Sequence, residues 1–211
     1  VIYTRRRHAL YGERLDIDIS NMFWDVCEAM VSSFKGSESY EDFSLETIKN
    51  FSLEAPVTEE EYENLKPDEI AERLYHQALE SYDRKAASIA KQAYPVIKDV
   101  YEKQSAIYEN IVVPISDGQK TYQIVTNLKK AYESGGKELI RSFSKSIILY
   151  TIDEYWKEHL REMDDLKQSV QNAAYEQKDP LLIYKLEAYE LFRTMLGNLN
   201  RDIVSILAKA F

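Results

Sequence analysis

Residues 148–170 read ILYTIDEYWKEHLREMDDLKQSV, and residues 179–206 read DPLLIYKLEAYELFRTMLGNLNRDIVSI. In each stretch apolar side chains recur at three- and four-residue spacings, the pattern of one face of an α-helix. The first stripe comprises Ile148, Ile152, Tyr155, Trp156, His159, Met163, Leu166 and Val170, and the second comprises Leu182, Leu186, Tyr189, Phe192, Leu196, Leu199, Ile203 and Ile206. Two long stripes joined by a short loop predict an antiparallel helical hairpin.

The loop between the stripes ends at Asp179-Pro180. A capping carboxylate followed by proline in the first turn is typical of a helix start, so the second helix is predicted to begin here. The predicted tip comprises Ala174, Tyr175, Glu176, Gln177 and Lys178. Tyr175 either folds back onto its own loop or touches a partner or a moving chain, through ring stacking and one hydroxyl.

The scarcity of turn residues favours a mainly α-helical fold. Only 6 glycines and 5 prolines occur in 211 residues, whereas an all-β chain of this length needs many more. We predict three sections: a helical segment over residues 1–35, a less regular helical lobe over 36–136 and the helical hairpin over 137–211. Gly12 is a predicted weak point, because glycine costs about 1 kcal/mol inside a helix.

Helix signals continue into the middle section. The Thr58 to Glu61 spacing is that of a capping box, in which both side chains satisfy free N–H groups. A longer helix is predicted to begin near Pro67 and to be interrupted or kinked at Pro95.

The period changes at residues 110–126, where two β-branched runs flank Asp117-Gly118. This pattern predicts a small β-hairpin attached to the helical lobe. Pro114 lies in the first run and implies an edge strand, because proline cannot donate a hydrogen bond to a neighbour.

Charge is unevenly distributed along the chain. Residues 36–83 carry 14 acidic and 3 basic side chains, although the whole chain has a net charge of only −9. This acidic section argues against a nucleic-acid surface and favours a solvated outer lobe. The Arg5-Arg6-Arg7 cluster favours a solvated helix face or ion pairs over a phosphate clamp.

Several chemistries lack the residues they need. Cys27 is the only cysteine, so no intrachain disulfide or thiolate metal site is possible, and a buried, inert thiol is expected. No P-loop or dinucleotide-binding glycine motif occurs. His159 lies near Glu158 and Glu162 and could ligate a metal, but a packing histidine is favoured over a metal site. No apolar run approaches the ~20 residues of a membrane span.

Three short elements of the hairpin resemble the C-terminal region of SecA, the bacterial preprotein translocase motor. These are Trp-Lys-Glu-His-Leu at 156–160, Met-Asp at 163–164 and Gln-Lys-Asp-Pro at 177–180. The opening Val-Ile-Tyr-Thr-Arg-Arg-Arg at 1–7 is similar to the start of the SecA helical scaffold. The resemblance therefore covers both ends and, through order, the whole chain.

The resemblance implies a layout and a set of partners. Residues 1–35 would begin the helical scaffold, 36–136 would be the helical wing and 137–211 the two-helix finger. The finger would enter the cytoplasmic mouth of the SecYEG channel and regulate ATP hydrolysis. Partners would be unfolded preproteins and the nucleotide-binding and preprotein-binding domains, and a second copy, forming a homodimer, is a further candidate. ATP and Mg²⁺ would bind those other domains, so no cofactor is expected here, and the location would be cytoplasmic and peripheral at the inner membrane.

The same resemblance implies site residues. Tyr175 and its neighbours Ala174, Glu176, Gln177 and Lys178 match the finger tip that contacts the translocating chain. Trp156, with His159 and Met163, would pack against neighbouring helices and couple the finger to the motor. Departures from the family pattern are the longer, more acidic middle section and its β-hairpin.

Two other functions stay open. A plain helical adaptor would dock a partner helix through the stripe or flank of the hairpin rather than its tip. An independent hydrolase or metalloprotein would show turnover or bound metal, which the residues do not favour. The chain begins and ends within helical patterns without stop signals, which favours a piece of a longer protein.

Overall fold

A computed structural model describes residues 1–173 and 179–210. Those residues form eight α-helices and one two-stranded antiparallel sheet, which confirms the mainly α-helical prediction. In chain order the elements are α1 (Ile2–Tyr11), α2 (Leu15–Phe34), α3 (Tyr40–Phe51), α4 (Glu59–Asn64), α5 (Pro67–Gln104), β1 (Asn110–Ser116), β2 (Thr121–Asn127), α6 (Leu128–Glu133), α7 (Lys137–Ala173) and α8 (Pro180–Lys209).

The first section is two helices rather than one, and the break falls at the predicted weak point. Gly12 ends α1 in the left-handed conformation, with a φ of 70°, which glycine adopts at no steric cost. His8 on α1 and Asp18 on α2 meet across the bend, with 2.8 Å between the ring Nδ1 and the carboxylate. This bend sets the direction in which α1 crosses the hairpin.

Local signals placed the start of α4 and α5 correctly. The Thr58 hydroxyl accepts a hydrogen bond from the Glu61 N–H at 3.3 Å, and the Glu61 carboxylate accepts one from the Thr58 N–H at 3.0 Å. This is the predicted capping box. The long helix α5 begins at Pro67, as predicted.

The predicted interruption at Pro95 is wrong, because α5 continues through it to Gln104, and the alternative of a kink there stays a prediction. Proline removes one backbone donor and leaves the carbonyl four residues earlier without its helical partner. Lys91, which carries that carbonyl, and Pro95 itself are both exposed. Water can therefore satisfy the carbonyl, and the buried face of the helix, with Ala90 and Ile97, stays packed.

The predicted β-hairpin is confirmed, with Pro114 opposite Gln123 in its register. Its loop spans residues 117–120, because Ser116 pairs with Thr121. The Asp117 carboxylate accepts hydrogen bonds from the N–H groups of Gln119 and Lys120 at 2.9 and 2.7 Å. Partial burial alone would raise the pKa of Asp117, but these bonds outweigh it and lower the pKa.

The β-hairpin packs on the first turns of α7. The Ser142 hydroxyl donates to the Thr126 hydroxyl at 3.0 Å, and the Tyr122 ring meets Phe143 edge-on at 6.1 Å. Phe143 is fully buried, in a core that also contains Phe23 of α2. The β-hairpin therefore supports the N-terminal end of α7, which is the end away from the tip loop.

Cys27 is fully buried in α2, as expected of an inert thiol. Burial raises the pKa of this thiol from 9.0 to about 12. Because only the thiolate reacts, labelling of the native chain by a disulfide reagent at mildly alkaline pH should be about a thousandfold slower than labelling in denaturant. Equal rates in the two conditions would show that the α2 core opens readily.

The last two helices form the predicted antiparallel hairpin. Helix α7 has 37 residues and α8 has 30. At roughly 1.5 Å per residue they extend about 55 and 45 Å. Asp179 caps α8, because its carboxylate accepts hydrogen bonds from the N–H groups of Leu181 and Leu182 at 3.0 and 3.4 Å.

The second predicted stripe is wrong at its distal end. Leu182, Leu186 and Tyr189 are 55, 61 and 63% exposed, whereas Leu199 and Ile203 are fully buried. Helix α8 packs on α7, α2 and α3. Its buried residues all lie in the half away from the loop: Met195, Leu199, Asn200, Ile203, Val204, Leu207 and Ala208. A single neighbouring helix covers only one face of α8. In this part of α8 that face carries half-buried residues such as Ile183 and Tyr184, not the predicted Leu182, Leu186 and Tyr189.

Among the described residues, no helix combines the length and apolar character needed to cross a membrane.

Candidate functional site on the helical hairpin

Helix α1 holds the middle of α7 through two contacts. The rings of Tyr3 and Trp156 meet edge-on, with 5.6 Å between centroids and 72° between planes. One turn earlier on α7, Asp153 accepts a hydrogen bond from the Arg6 Nε at 2.8 Å. Both pairs are partly exposed, so each contributes modestly, but together they fix the side on which α1 lies.

The three residues predicted to couple the hairpin to its surroundings lie along α7. Trp156 is half-buried, and its ring lies 5.4 Å from that of His159. His159 is buried and meets Phe192 of α8 edge-on at 5.8 Å. Met163, one turn further, is half-buried. Trp156, His159 and Phe192 thus form a continuous aromatic row from the α1 side of α7 to α8.

A polar network joins α1, α2 and α8 near the base of the hairpin. Asn200 is only 4% exposed, and its carbonyl accepts a hydrogen bond from Arg5 at 2.7 Å. Its amide donates to the Asp25 carboxylate at 3.1 Å. Burial raises the pKa of Asp25, and the nearby Arg5 charge and the Asn200 bond partly offset this. One buried amide therefore orients two oppositely charged side chains.

A further bond joins the two hairpin helices. The Tyr155 hydroxyl donates to the Asp202 carboxylate at 2.5 Å. Burial, followed by this bond to an anion, raises the pKa of Tyr155 to about 12. The phenol therefore stays protonated at neutral pH, and the bond resists sliding of α7 along α8.

The predicted tip residues Ala174, Tyr175, Glu176, Gln177 and Lys178 lie outside the described residues. The structure describes the residues on either side of them: α7 ends at Ala173, and α8 begins at Pro180 with Asp179 as its N-cap. The two alternatives for Tyr175 both remain predictions.

Within residues 1–173 and 179–210, no group of three histidine, cysteine or carboxylate side chains is placed to hold a metal ion. His159 contacts aromatic rings, as the favoured packing alternative expected.

Sequence reasoning missed Tyr3 and Asn200. In the sequence, Tyr3 resembles any exposed aromatic residue, and none of the adjacent residues indicates a contact with Trp156. Asn200 gave a weak signal, because it lies between Leu199 and Ile203 in the buried stripe, where a polar residue needs partners. Arg5 and Arg6 are ion-pair partners of Asp25 and Asp153, which agrees with the favoured interpretation of the arginine cluster.

The family model described as SecA Wing and Scaffold domain matches residues 1–210. Similar proteins that have been curated are named protein translocase subunit SecA. The chain is 52% identical over 209 residues to the protein translocase subunit SecA of Parabacteroides distasonis, and this covers 99% of the chain and 18% of the relative. It is 50% identical over 210 residues to that of Porphyromonas gingivalis, covering 100% of the chain and 19% of the relative. The chain therefore spans less than a fifth of the length of these relatives.

Proposed function

The chain belongs to the SecA wing and scaffold family, and we propose that it is a non-catalytic, force-transmitting and regulatory part of a protein-translocation motor. The hairpin carries its tip loop to an unfolded preprotein at the SecYEG channel, on the cytoplasmic side of the membrane. ATP and Mg²⁺ bind other domains of the motor, since the chain has no glycine-rich phosphate-binding motif.

The observation that supports this role most is the anchoring of the hairpin from its base to its middle. The Asn200 network, the Tyr155–Asp202 bond and the Tyr3–Trp156 contact join α1, α2, α7 and α8. A paired helical rod held at one end transfers a movement of its base to its tip with little bending. The same base contacts offer a route by which load at the tip influences ATP hydrolysis elsewhere in the motor.

The distal half has the surface expected of a docking element. Leu181, Leu182, Leu186 and Tyr189 are each more than half exposed on α8. A cluster of large apolar side chains on one stretch of helix is typical of a protein contact. A channel mouth or a chain in transit would cover it.

Substitution of the tip tyrosine in the full-length motor tests the proposal. Tyr175→Ala should slow preprotein transport into vesicles about tenfold, because truncating one contact aromatic typically costs about 1–2 kcal/mol. Basal ATP hydrolysis should fall less. Tyr150→Ala is the matched control, since Tyr150 is 60% exposed on α7 and lies 25 positions before the tip tyrosine. Unchanged transport by the Tyr175 variant would contradict the tip assignment.

The exposed α8 surface also favours a second candidate, a helical adaptor that docks a partner along its flank. Photo-crosslinkers at positions 175 and 186 separate the two functions. Crosslinks from 175 to a polypeptide in transit support the motor role. Crosslinks from 186 to a folded partner, with none from 175 to a moving chain, support the adaptor.

A further inference from the structure

A cleft of about 380 Å³ opens between α7 and α8, midway along the hairpin. Four glutamates line it, Glu158 and Glu162 from α7 and Glu187 and Glu190 from α8. Leu191 and Met195 add apolar wall. The cleft lies on the flank of the hairpin, away from the tip loop on which the proposed function depends.

His159 also lines this cleft and has an unused polar atom. The side chain is 5% exposed, and its Nδ1 has no hydrogen-bond partner among the described residues. The Glu162 carboxylate lies 3.9 Å from Nδ1, which is too far for a hydrogen bond. A buried nitrogen without a partner is unfavourable and normally has a ligand or water that satisfies it.

The acidic side chains of the cleft are only half neutralised. Glu158 pairs with Arg161 at 2.9 Å and Glu190 with Arg193 at 4.0 Å. Among the described residues, no lysine or arginine lies within ion-pair distance of Glu162 or Glu187. Two carboxylates therefore face the cleft without a cation, on opposite helices.

We propose that this cleft binds the cationic side chain of a lysine or arginine on a partner polypeptide. Because His159 Nδ1 is buried behind the cleft wall, a charged nitrogen bound to Glu162 would reach it once the ring turns slightly towards the cleft, and would then donate a hydrogen bond to each. The alkyl stem of such a side chain would lie along Leu191 and Met195, as lysine and arginine stems commonly do on apolar surface. A metal ion fits less well, because no described cluster has a metal-binding arrangement.

Histidine-selective ¹⁵N labelling gives a direct test, because the chain has only three histidines. The probes are n-butylguanidinium, n-butylammonium and neutral n-butylurea, at constant ionic strength and a constant pH of about 8. Both cations should shift the His159 ring signals saturably, and the urea should shift them less than about a fifth as much. The tighter-binding cation identifies whether arginine or lysine is the preferred side chain.

His76 is an internal control for the His159 signals. His76 lies 3.8 Å from Glu72 on an exposed helix face and reports non-specific attraction of cations to carboxylates. The double variant Glu162→Gln/Glu187→Gln should weaken cation binding at least fivefold, and both substitutions are conservative and at exposed positions. Glu154→Gln, an exposed α7 position outside the cleft, should leave it unchanged.

Four results would overturn the proposal. Equal shifts with n-butylurea would make the cleft an apolar rather than a cationic site. Equal shifts at His76 and His159 would reduce it to surface charge. Retained affinity in the double variant, or no saturable shift at all, would leave water as the partner of Nδ1.

Discussion

Gly136→Ala should destabilise the chain by about 3 kcal/mol or more. Gly136 has a φ of 89°, which costs an L-residue about 1–2 kcal/mol. An added Cβ would also lie 2.5 Å from the carbonyl oxygen of Ala90 on α5. The position of the Cβ is fixed by the Gly136 backbone, and the atom it meets is a backbone oxygen, so neither can rotate away. Removing the clash therefore requires a shift of α5 against the α6–α7 turn, and such overpacking typically costs about 1–3 kcal/mol more. Urea denaturation monitored by circular dichroism measures the loss.

Gly135→Ala is the matched control for this effect. Gly135 also has a positive φ, 64°, but an added Cβ would meet no atom within 4 Å. It should therefore lose only the backbone contribution of about 1–2 kcal/mol. Similar losses in the two variants would show that α5 and the turn are less closely packed than the Gly136–Ala90 distance indicates.

Features decided by neighbouring residues could be predicted from the sequence. Asp179 caps α8, Thr58 and Glu61 form a capping box, and the strands flank Asp117, because each depends on bonds that reach only a few positions. The two long helices followed from periodicity, since a stripe of apolar residues must be buried whatever covers it.

Features decided by what covers a helix could not be predicted in this way. Periodicity assigned Leu182 and Leu186 to the stripe that contains Leu199, but it contains no information on where the second layer of helices stops. Pro95 carries a strong local signal against a helix, yet its exposed position makes the lost hydrogen bond inexpensive. In both cases the tertiary surroundings changed the outcome.

In the candidate site too, the residues on the α7 stripe could be predicted from the sequence, whereas their partners on other helices could not. Trp156 and His159 were expected to pack and do contact aromatic rings, because both lie on the α7 stripe. Their partners Tyr3 and Phe192 come from other helices, and Tyr3 lies 153 positions away. Coupling to a motor domain stays a prediction, as does the role of Tyr175, which lies outside the described residues.

Asn200→Leu should cost about 2–3 kcal/mol of stability at neutral pH. The substitution removes two hydrogen bonds to charged groups, one from Arg5 and one to Asp25. Each such bond is worth about 1.5–3 kcal/mol. The sum is discounted because the Asp25 side chain is 46% exposed and water can replace part of what it loses. Urea denaturation at pH 7 gives the difference from the unsubstituted chain.

The pH dependence of that loss distinguishes a broken network from a simple packing defect. Burial already raises the pKa of Asp25, and the Asn200 bond opposes the rise, so losing the bond raises the pKa further. A carboxyl whose pKa is higher in the folded chain favours folding when protonated and loses that contribution as pH rises through the folded pKa. The deficit of Asn200→Leu should therefore be smaller at about pH 4 than at pH 7.

Two further variants make the comparison decisive. Asn198→Leu, at a half-exposed position on the same helix, should cost less than about 1 kcal/mol and show no such trend. Measured in an Asp25→Asn background, against Asp25→Asn alone, the Asn200→Leu deficit should not depend on pH, because the titrating group is then absent from both chains. A deficit that stays constant between pH 4 and pH 7 would mean that Asn200 acts through packing alone, and the polar network would then contribute little to holding α8 against α1 and α2.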